Sequence, residues 1–181
     1  PQLGDTILNR YTLVSSLREE PGIQAWKAND RVLAKDCQLF IITNRSAFAA
    51  IDELAGRMAA TRPDRVIPIL KYRMESDVLL IVMPVDSGQC LTDYMVDTAK
   101  PLSYSAIRSI IGECADVLRE VIADTPSGIV ITTDTVRVTT SGVQIADAPC
   151  ATMLADTSAT DLRTDGPERY AIRQLAALLY T

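Results

Sequence analysis

The sequence predicts an α+β chain built in two parts, and three observations point there. Residues 1–88 alternate apolar and polar positions in short runs separated by turn residues, with one helical stretch inserted. After Gly88 the apolar spacing lengthens to the helical period and stays there through most of residues 89–181. A hydrophobic content of 48% over 181 residues supplies the core of one medium domain or two small lobes, and little more.

The elements follow in order. Tyr11–Val14 reads as a first strand, then Ile23–Ala28 after a turn at Pro21-Gly22, then Cys37–Ile42 after a turn at Asn29-Asp30. Phe48, Ile51, Ala55, Met58 and Ala59 recur at helical spacing, and Pro63 closes that helix. Val66–Leu70 and Val78–Met83 complete a five-stranded antiparallel lobe, joined through Glu75-Ser76-Asp77. Beyond Gly88, Leu91–Met95 forms a short helix. Ser103 caps a long one whose apolar stripe runs Ile107, Ile110, Ile111, Cys114, Val117, Leu118, Val121 and Ile122. Ile129–Ile131, Val136–Val138 and Val143–Ile145 read as three very short strands, and a last helix begins near Pro167.

Composition removes whole classes of chemistry. The chain has no histidine, which excludes Ser–His–Asp and Cys–His nucleophile systems and every HExxH metal helix. Its eight glycines stand alone, so neither GxGxxG nor a Walker A loop can be written. Cys37, Cys90, Cys114 and Cys150 are far apart and form no CxxC pair, against structural zinc; they read as reduced thiols. A net charge of −5 argues against nucleic acid as a partner. The longest apolar run, Val78–Met83, is too short to span a bilayer, and no signal peptide is present. The chain starts at Pro1 and is expected to be part of a longer polypeptide, cytoplasmic in location, including as the cytoplasmic portion of a membrane protein.

The order of elements resembles that of protein kinases: five strands with one inserted helix, a hinge, then a helical lobe carrying small hairpins. Trp26-Lys27-Ala28-Asn29-Asp30 is similar to the end of the second kinase strand. Ala47–Val66, with Glu53 and Arg62-Pro63-Asp64, is similar to the αC helix and the turn after it, and Leu80–Val85 resembles the hinge strand. Gly128-Ile129-Val130 resembles the approach to the catalytic loop, and Val143–Asp147 the strand that ends in the DFG motif. The resemblance implies a two-lobe fold, with an N-lobe over 1–88 and an incomplete C-lobe over 89–181.

The departures imply loss of catalysis. A working kinase needs a glycine-rich loop, a third-strand lysine with its αC glutamate, a catalytic-loop Asp and Asn, and a DFG Asp on magnesium. Here the loop is Ser15–Gly22 with Glu19 and Glu20 where phosphates would sit. The lysine position falls on Ile42, and Phe40 replaces a small residue beside the base. The catalytic loop reads Ile131-Thr132-Thr133-Asp134, DFG has become Asp147-Ala148-Pro149, and Glu168 stands for the aspartate that anchors the catalytic loop. Only Glu53 and Asp147 match functional positions. Both have plainer readings, Glu53 as an i,i+4 pair with Arg57 and Asp147 as a strand-end carboxylate. Lys27 and Lys35 read as surface lysines, and Asp134 as a turn carboxylate rather than a displaced base. The chain resembles a pseudokinase, and no cofactor or metal is expected.

Residues 148–166 are rich in threonine, and in kinases this segment carries regulatory phosphorylation. Thr152, Thr157, Thr160 and Thr164 are the candidate phosphosites, since a phosphothreonine offers an Arg-lined reader about two charges and three acceptor oxygens. The final helix, Ala171–Tyr180, and the short catalytic loop are most similar to the pseudokinase domain of actinobacterial lipid II flippases of the MviN/MurJ type. That similarity implies a role in peptidoglycan regulation, with an active Ser/Thr kinase and an FHA-type protein as partners. Two other readings stay open: an atypical nucleotide-binding phosphotransferase with displaced residues, and a purely structural domain.

Overall fold

A computed structural model of the chain describes residues 1–86, 88–97, 101–122, 129–146 and 166–181. It divides into two compact units, Pro1–Ala59 with Pro68–Val85, and Ala60–Ile67 with Asp86–Thr181.

The first unit is a six-stranded antiparallel sheet with one helix. Its strands are β1 (Thr6–Ile7), β2 (Tyr11–Glu20), β3 (Ile23–Asp30), β4 (Lys35–Ile42), β5 (Lys71–Met74) and β6 (Leu79–Pro84). They lie in the order β1-β2-β3-β4-β6-β5. Helix α1 (Phe48–Thr61) follows a short 3-10 turn, Arg45–Ala47, opened by Asn44, whose side chain accepts from the Ser46 amide. Both faces of the sheet are apolar. Tyr11, Leu13, Trp26, Ala28, Cys37, Leu39, Ile41, Leu80 and Val82 form one buried cluster. The opposite face carries Ile23, Ala25, Phe40, Ile42, Leu79 and Ile81, also buried. Helix α1 buries Phe48, Ile51, Leu54, Ala55 and Met58, and lies on this second face. A side chain at Gly56 would come within 3.3 Å of the Tyr72 hydroxyl, and Tyr72 is opposite Ile81 in the ladder.

Two sequence expectations need correcting here. The sheet has six strands, not five, because Thr6–Ile7 folds back on Tyr11–Thr12. The turn between them puts Leu8 and Asn9 at positive φ, a conformation usually signalled by glycine and here carried without it. The strand expected at Val66–Leu70 lies instead at Lys71–Met74. Pro68 has no N–H to offer a ladder. The residues before it pair elsewhere: Ile67 N–H donates to the Ile145 carbonyl (2.9 Å), and Ile145 N–H to that of Arg65 (2.7 Å).

The second unit holds a small sheet, β7 (Gln89–Cys90), β8 (Val136–Thr139) and β9 (Gly142–Ile145), in that order. Its helices are α2 (Leu91–Asp97), α3 (Tyr104–Val121) and α4 (Pro167–Tyr180). Ser103 caps α3 by accepting from the Ala106 amide at 3.1 Å, and the buried stripe Ile110, Cys114, Val117, Leu118 and Val121 packs toward α4 and β9. Pro167 opens α4, where its missing N–H costs nothing. Ile129–Ile131 is buried but is not a strand; the third strand of this sheet is Gln89–Cys90, which no alternation in the sequence signals. Among the described residues no helix is long and apolar enough to cross a membrane.

Candidate functional site

In the first unit the position that matters most is Ile42. It ends β4, paired with Ile23 on one side and Leu79 on the other, and is 0% exposed. Phe40, two residues before it on the same face, is 1% exposed between Ala25 and Ile81. A strand's side chains alternate, so Phe40 and Ile42 both point to the α1 face. There they complete an apolar layer with no cation in it. An ammonium at position 42 would have to be desolvated there.

Glu53 does not compensate. Its side chain is 66% exposed and pairs with Arg57 one turn on, Nη2 to Oε1 2.7 Å. Lys27 is held at 3.0 Å by Asp36, whose carboxylate also accepts from Asn29. Both groups lower the pKa of Asp36, the lysine hydrogen bond most. Lys35 is exposed.

The segment Ser15–Gly22 belongs to the hairpin of β2 and β3. β2 and β3 pair all the way to Glu20–Ile23, with irregularities between Leu13 and Ser15 and between Ser16 and Arg18. The tip is pinned: the Thr43 and Asn44 amides both donate to the Gly22 carbonyl, at 2.9 and 3.3 Å. Gly22 is at φ +82°, and a Cβ there would lie 2.7 Å from that of Asn44. Glu19 accepts from Gln24 (3.1 Å) and Glu20 lies 3.8 Å from Arg18, so both carboxylates are partly compensated locally.

In the second unit, residues 130–136 are held in a tight knot of threonines. Thr135, which is buried, accepts from the Thr132 amide at 2.9 Å and donates to the Val130 carbonyl at 3.0 Å. The Thr135 and Val136 amides both return to the Thr132 carbonyl. Asp134 is tied at both ends of the residue: its amide donates to the Thr132 hydroxyl, and its carboxylate accepts from the Thr92 hydroxyl at 2.8 Å. The Thr92 amide and the Cys90 thiol donate to the Thr133 carbonyl, and the Arg137 guanidinium to that of Asp134. Arg137 also lies 3.3 Å from Asp86.

What fixes this segment from the helical side is Gln174. Its amide accepts from Ile131 N–H at 2.6 Å and donates to the Ile129 carbonyl at 2.9 Å, satisfying both groups of a backbone stretch that is in no strand. The expectation for Glu168 is therefore wrong: Glu168 is exposed in the first turn of α4, and the anchoring position is two turns further on. Gln174 is legible in retrospect as the single polar residue in the stripe Tyr170, Gln174, Leu178.

A second tie runs through Arg65 and Glu113. Glu113 accepts from the Val143 amide at 2.6 Å and pairs with Arg65 at 3.3 Å. Gly142 sits against both, at φ +117°. Burial pushes the Cys37 thiol up to about 11 and the Cys114 thiol up to about 12, so neither is a nucleophile at neutral pH.

A search of solved structures finds a protein of the same order and arrangement of elements. The chain superposes on the crystal structure of Rad53 1–466 in complex with AMP-PNP with a TM-score of 0.75, at 16% identity, over 94% of this chain and 47% of that one. The fold is protein-kinase-like. The chain thus spans about half the length of that kinase-fold neighbour. No protein-family model and no curated protein sequence matches it.

Of the candidate residues, Ile42 and Glu53 are among the described ones. Ile42 and Glu53 are in the first unit, one in the core and one in solvent. Asp147 and the threonines Thr152, Thr157, Thr160 and Thr164 lie outside the described residues, as does Cys150.

Proposed function

We propose that this chain is a pseudokinase, a catalytically inactive kinase-like domain that works as a regulatory protein-interaction module. The observation that carries the reading is Ile42, fully buried where an active kinase needs its phosphate-binding lysine. The turned-out Glu53, the hairpin at Pro21-Gly22 and the tethered Asp134 support it. The deciding experiment is thermal denaturation with and without millimolar Mg·ATP. A ligand at about one hundred times its Kd would stabilise by about 2.7 kcal/mol. No shift is expected. A clear shift would overturn the reading in favour of an atypical phosphotransferase with displaced residues.

The regulatory context rests on the resemblance to MviN/MurJ-type flippase domains. On it, an active Ser/Thr kinase phosphorylates one of Thr152, Thr157, Thr160 and Thr164, and an FHA-type protein reads the phosphothreonine on the cytoplasmic side of the envelope, controlling peptidoglycan precursor export. Incubation with such a kinase followed by phosphate mapping tests this. Modification within 152–164 and phosphate-dependent retention of an FHA domain are the expected results; absence of modification there sinks the docking role.

A further inference from the structure

The turn between β3 and β4, residues 31–34, is built from the wrong residues for a turn. Gly, Asn, Asp, Ser and Pro ordinarily shape such a bend. Here the apex is Val32-Leu33, 71% and 58% exposed, and Ala34 follows at φ +51°, where glycine or asparagine is the usual residue. The bend is shaped from beneath instead. The buried Asp30 carboxylate accepts from the Val32 amide at 3.0 Å and the Leu33 amide at 3.3 Å, and Arg10 holds it with two further hydrogen bonds. The Arg31 amide donates to the Arg10 carbonyl at 3.0 Å, tying the loop to the neighbouring turn before β2. Nothing in that scheme calls for apolar side chains at positions 32 and 33, and two adjacent aliphatic groups are poorly placed in water.

The uncompensated charge around the apex is of one sign. Arg31 and Lys35 flank it, both exposed, and no carboxylate among the described residues pairs with either. Lys27 and Asp36 neutralise one another at 3.0 Å, and Asp30 is taken by Arg10. This end of the sheet is therefore positive, in a chain whose net charge is −5.

We propose that this tip is a membrane contact, with Val32 and Leu33 entering the interfacial zone of an anionic bilayer and Arg31 and Lys35 lying among its phosphate headgroups. A partner protein would need a pocket cut to the two aliphatic side chains. A fluid bilayer moulds to them and needs none. The two cations select anionic lipid, since Lys and Arg are drawn to such a surface within about a Debye length. The pair is small, so the contact is weaker than the about 10⁴ M⁻¹ of a single myristoyl chain and orients the domain rather than anchoring it.

Co-sedimentation of the 181-residue chain with phosphatidylcholine vesicles, with and without an equal part of phosphatidylglycerol, tests the proposal. At about 2 mM accessible lipid, a partition constant of about 10³ M⁻¹ already binds more than half of the protein. Partitioning to the anionic vesicles is expected to be stronger by about fivefold or more, and to fall as salt is raised from about 0.05 to 0.5 M. Val32→Ser with Leu33→Ser, and separately Arg31→Ser with Lys35→Ser, should each lower it by about fivefold or more. The thermal midpoint stays in place, because all four side chains are exposed. Should a double variant unfold, Leu33→Trp decides in its stead: its emission shifts to the blue and is quenched by lipids brominated on the acyl chains, over the background of the buried Trp26. Absence of binding to anionic vesicles at low salt overturns the proposal, including where the tip is then found to dock on an acidic protein. So do equal binding to neutral vesicles, undiminished binding by a folded double variant, and Leu33→Trp emission that vesicles leave unmoved.

Discussion

Replacing Gln174 by leucine gives the most direct reading of how the kinase-like second unit is held together. The side chain is 9% exposed and satisfies two backbone groups, the Ile131 N–H at 2.6 Å and the Ile129 carbonyl at 2.9 Å. Leucine has similar volume, so little cavity is created, but it offers neither donor nor acceptor. Each buried backbone group left unsatisfied costs about 1–3 kcal/mol. Gln174→Leu is therefore expected to lose about 3–4 kcal/mol, allowing for partial relaxation of a segment that is in no ladder. With a urea m-value of about 2–3 kcal/mol/M, the unfolding midpoint falls by roughly 1–2 M. Glu168→Gln is the control, because Glu168 is exposed and its replacement is expected to stay within about 0.5 kcal/mol. A refinement separates donor from acceptor. Gln174→Glu keeps the acceptor for Ile131 but turns a carboxylate toward the Ile129 carbonyl, and regains a donor only on protonation. Its deficit relative to wild type should shrink as pH is lowered from 7 to 5. Equal midpoints for wild type and Gln174→Leu, or a larger loss from Glu168→Gln, would refute the assignment of the anchor to position 174.

Three further outcomes follow from the geometry. Ile42→Lys is expected to give no Mg·ATP-dependent stabilisation and to cost about 3–5 kcal/mol by urea denaturation, since Glu53 is turned to Arg57 and the ammonium is buried without a partner; a nucleotide-dependent shift would show that the lysine alone was missing. The Arg10 side chain holds Asp30 by two hydrogen bonds, 2.9 and 2.7 Å, and, with the Val32 and Leu33 amides, lowers its pKa from 3.8 to about 2. A depressed carboxylate stabilises the fold above its unfolded pKa and loses that contribution as pH falls toward the folded one, so the acid limb between about pH 4 and 2 carries about 1–2 kcal/mol, reduced because Arg10 is partly exposed, and Asp30→Asn flattens it. Gly142→Ala introduces a Cβ at φ +117°, within 2.5 Å of the Arg65 guanidinium and 2.8 Å of the Glu113 carboxylate, and is expected to cost about 1–3 kcal/mol by thermal denaturation; an unchanged midpoint would mean that the Arg65–Glu113 tie gives way freely.

The elements that were legible in the sequence are those whose partners are close in the chain or whose apolar period is strong. The helix over Phe48–Thr61, the Ser103 cap, the long stripe of α3 and the turn at Pro21-Gly22 follow from local spacing and turn chemistry. Tertiary structure decided everything that depends on a distant partner. Strand β5 moved past Pro68 because residues 65–67 found Ile145, seventy-eight residues away for the Ile67 bond. Gln89–Cys90 became a strand only because Val138 and Arg137 were there to pair with it. Gln174 reads in isolation as a polar residue on a helix. It becomes the anchor of residues 129–131 because folding brings two unpaired backbone groups to it, and a buried polar group is stable only where another answers it.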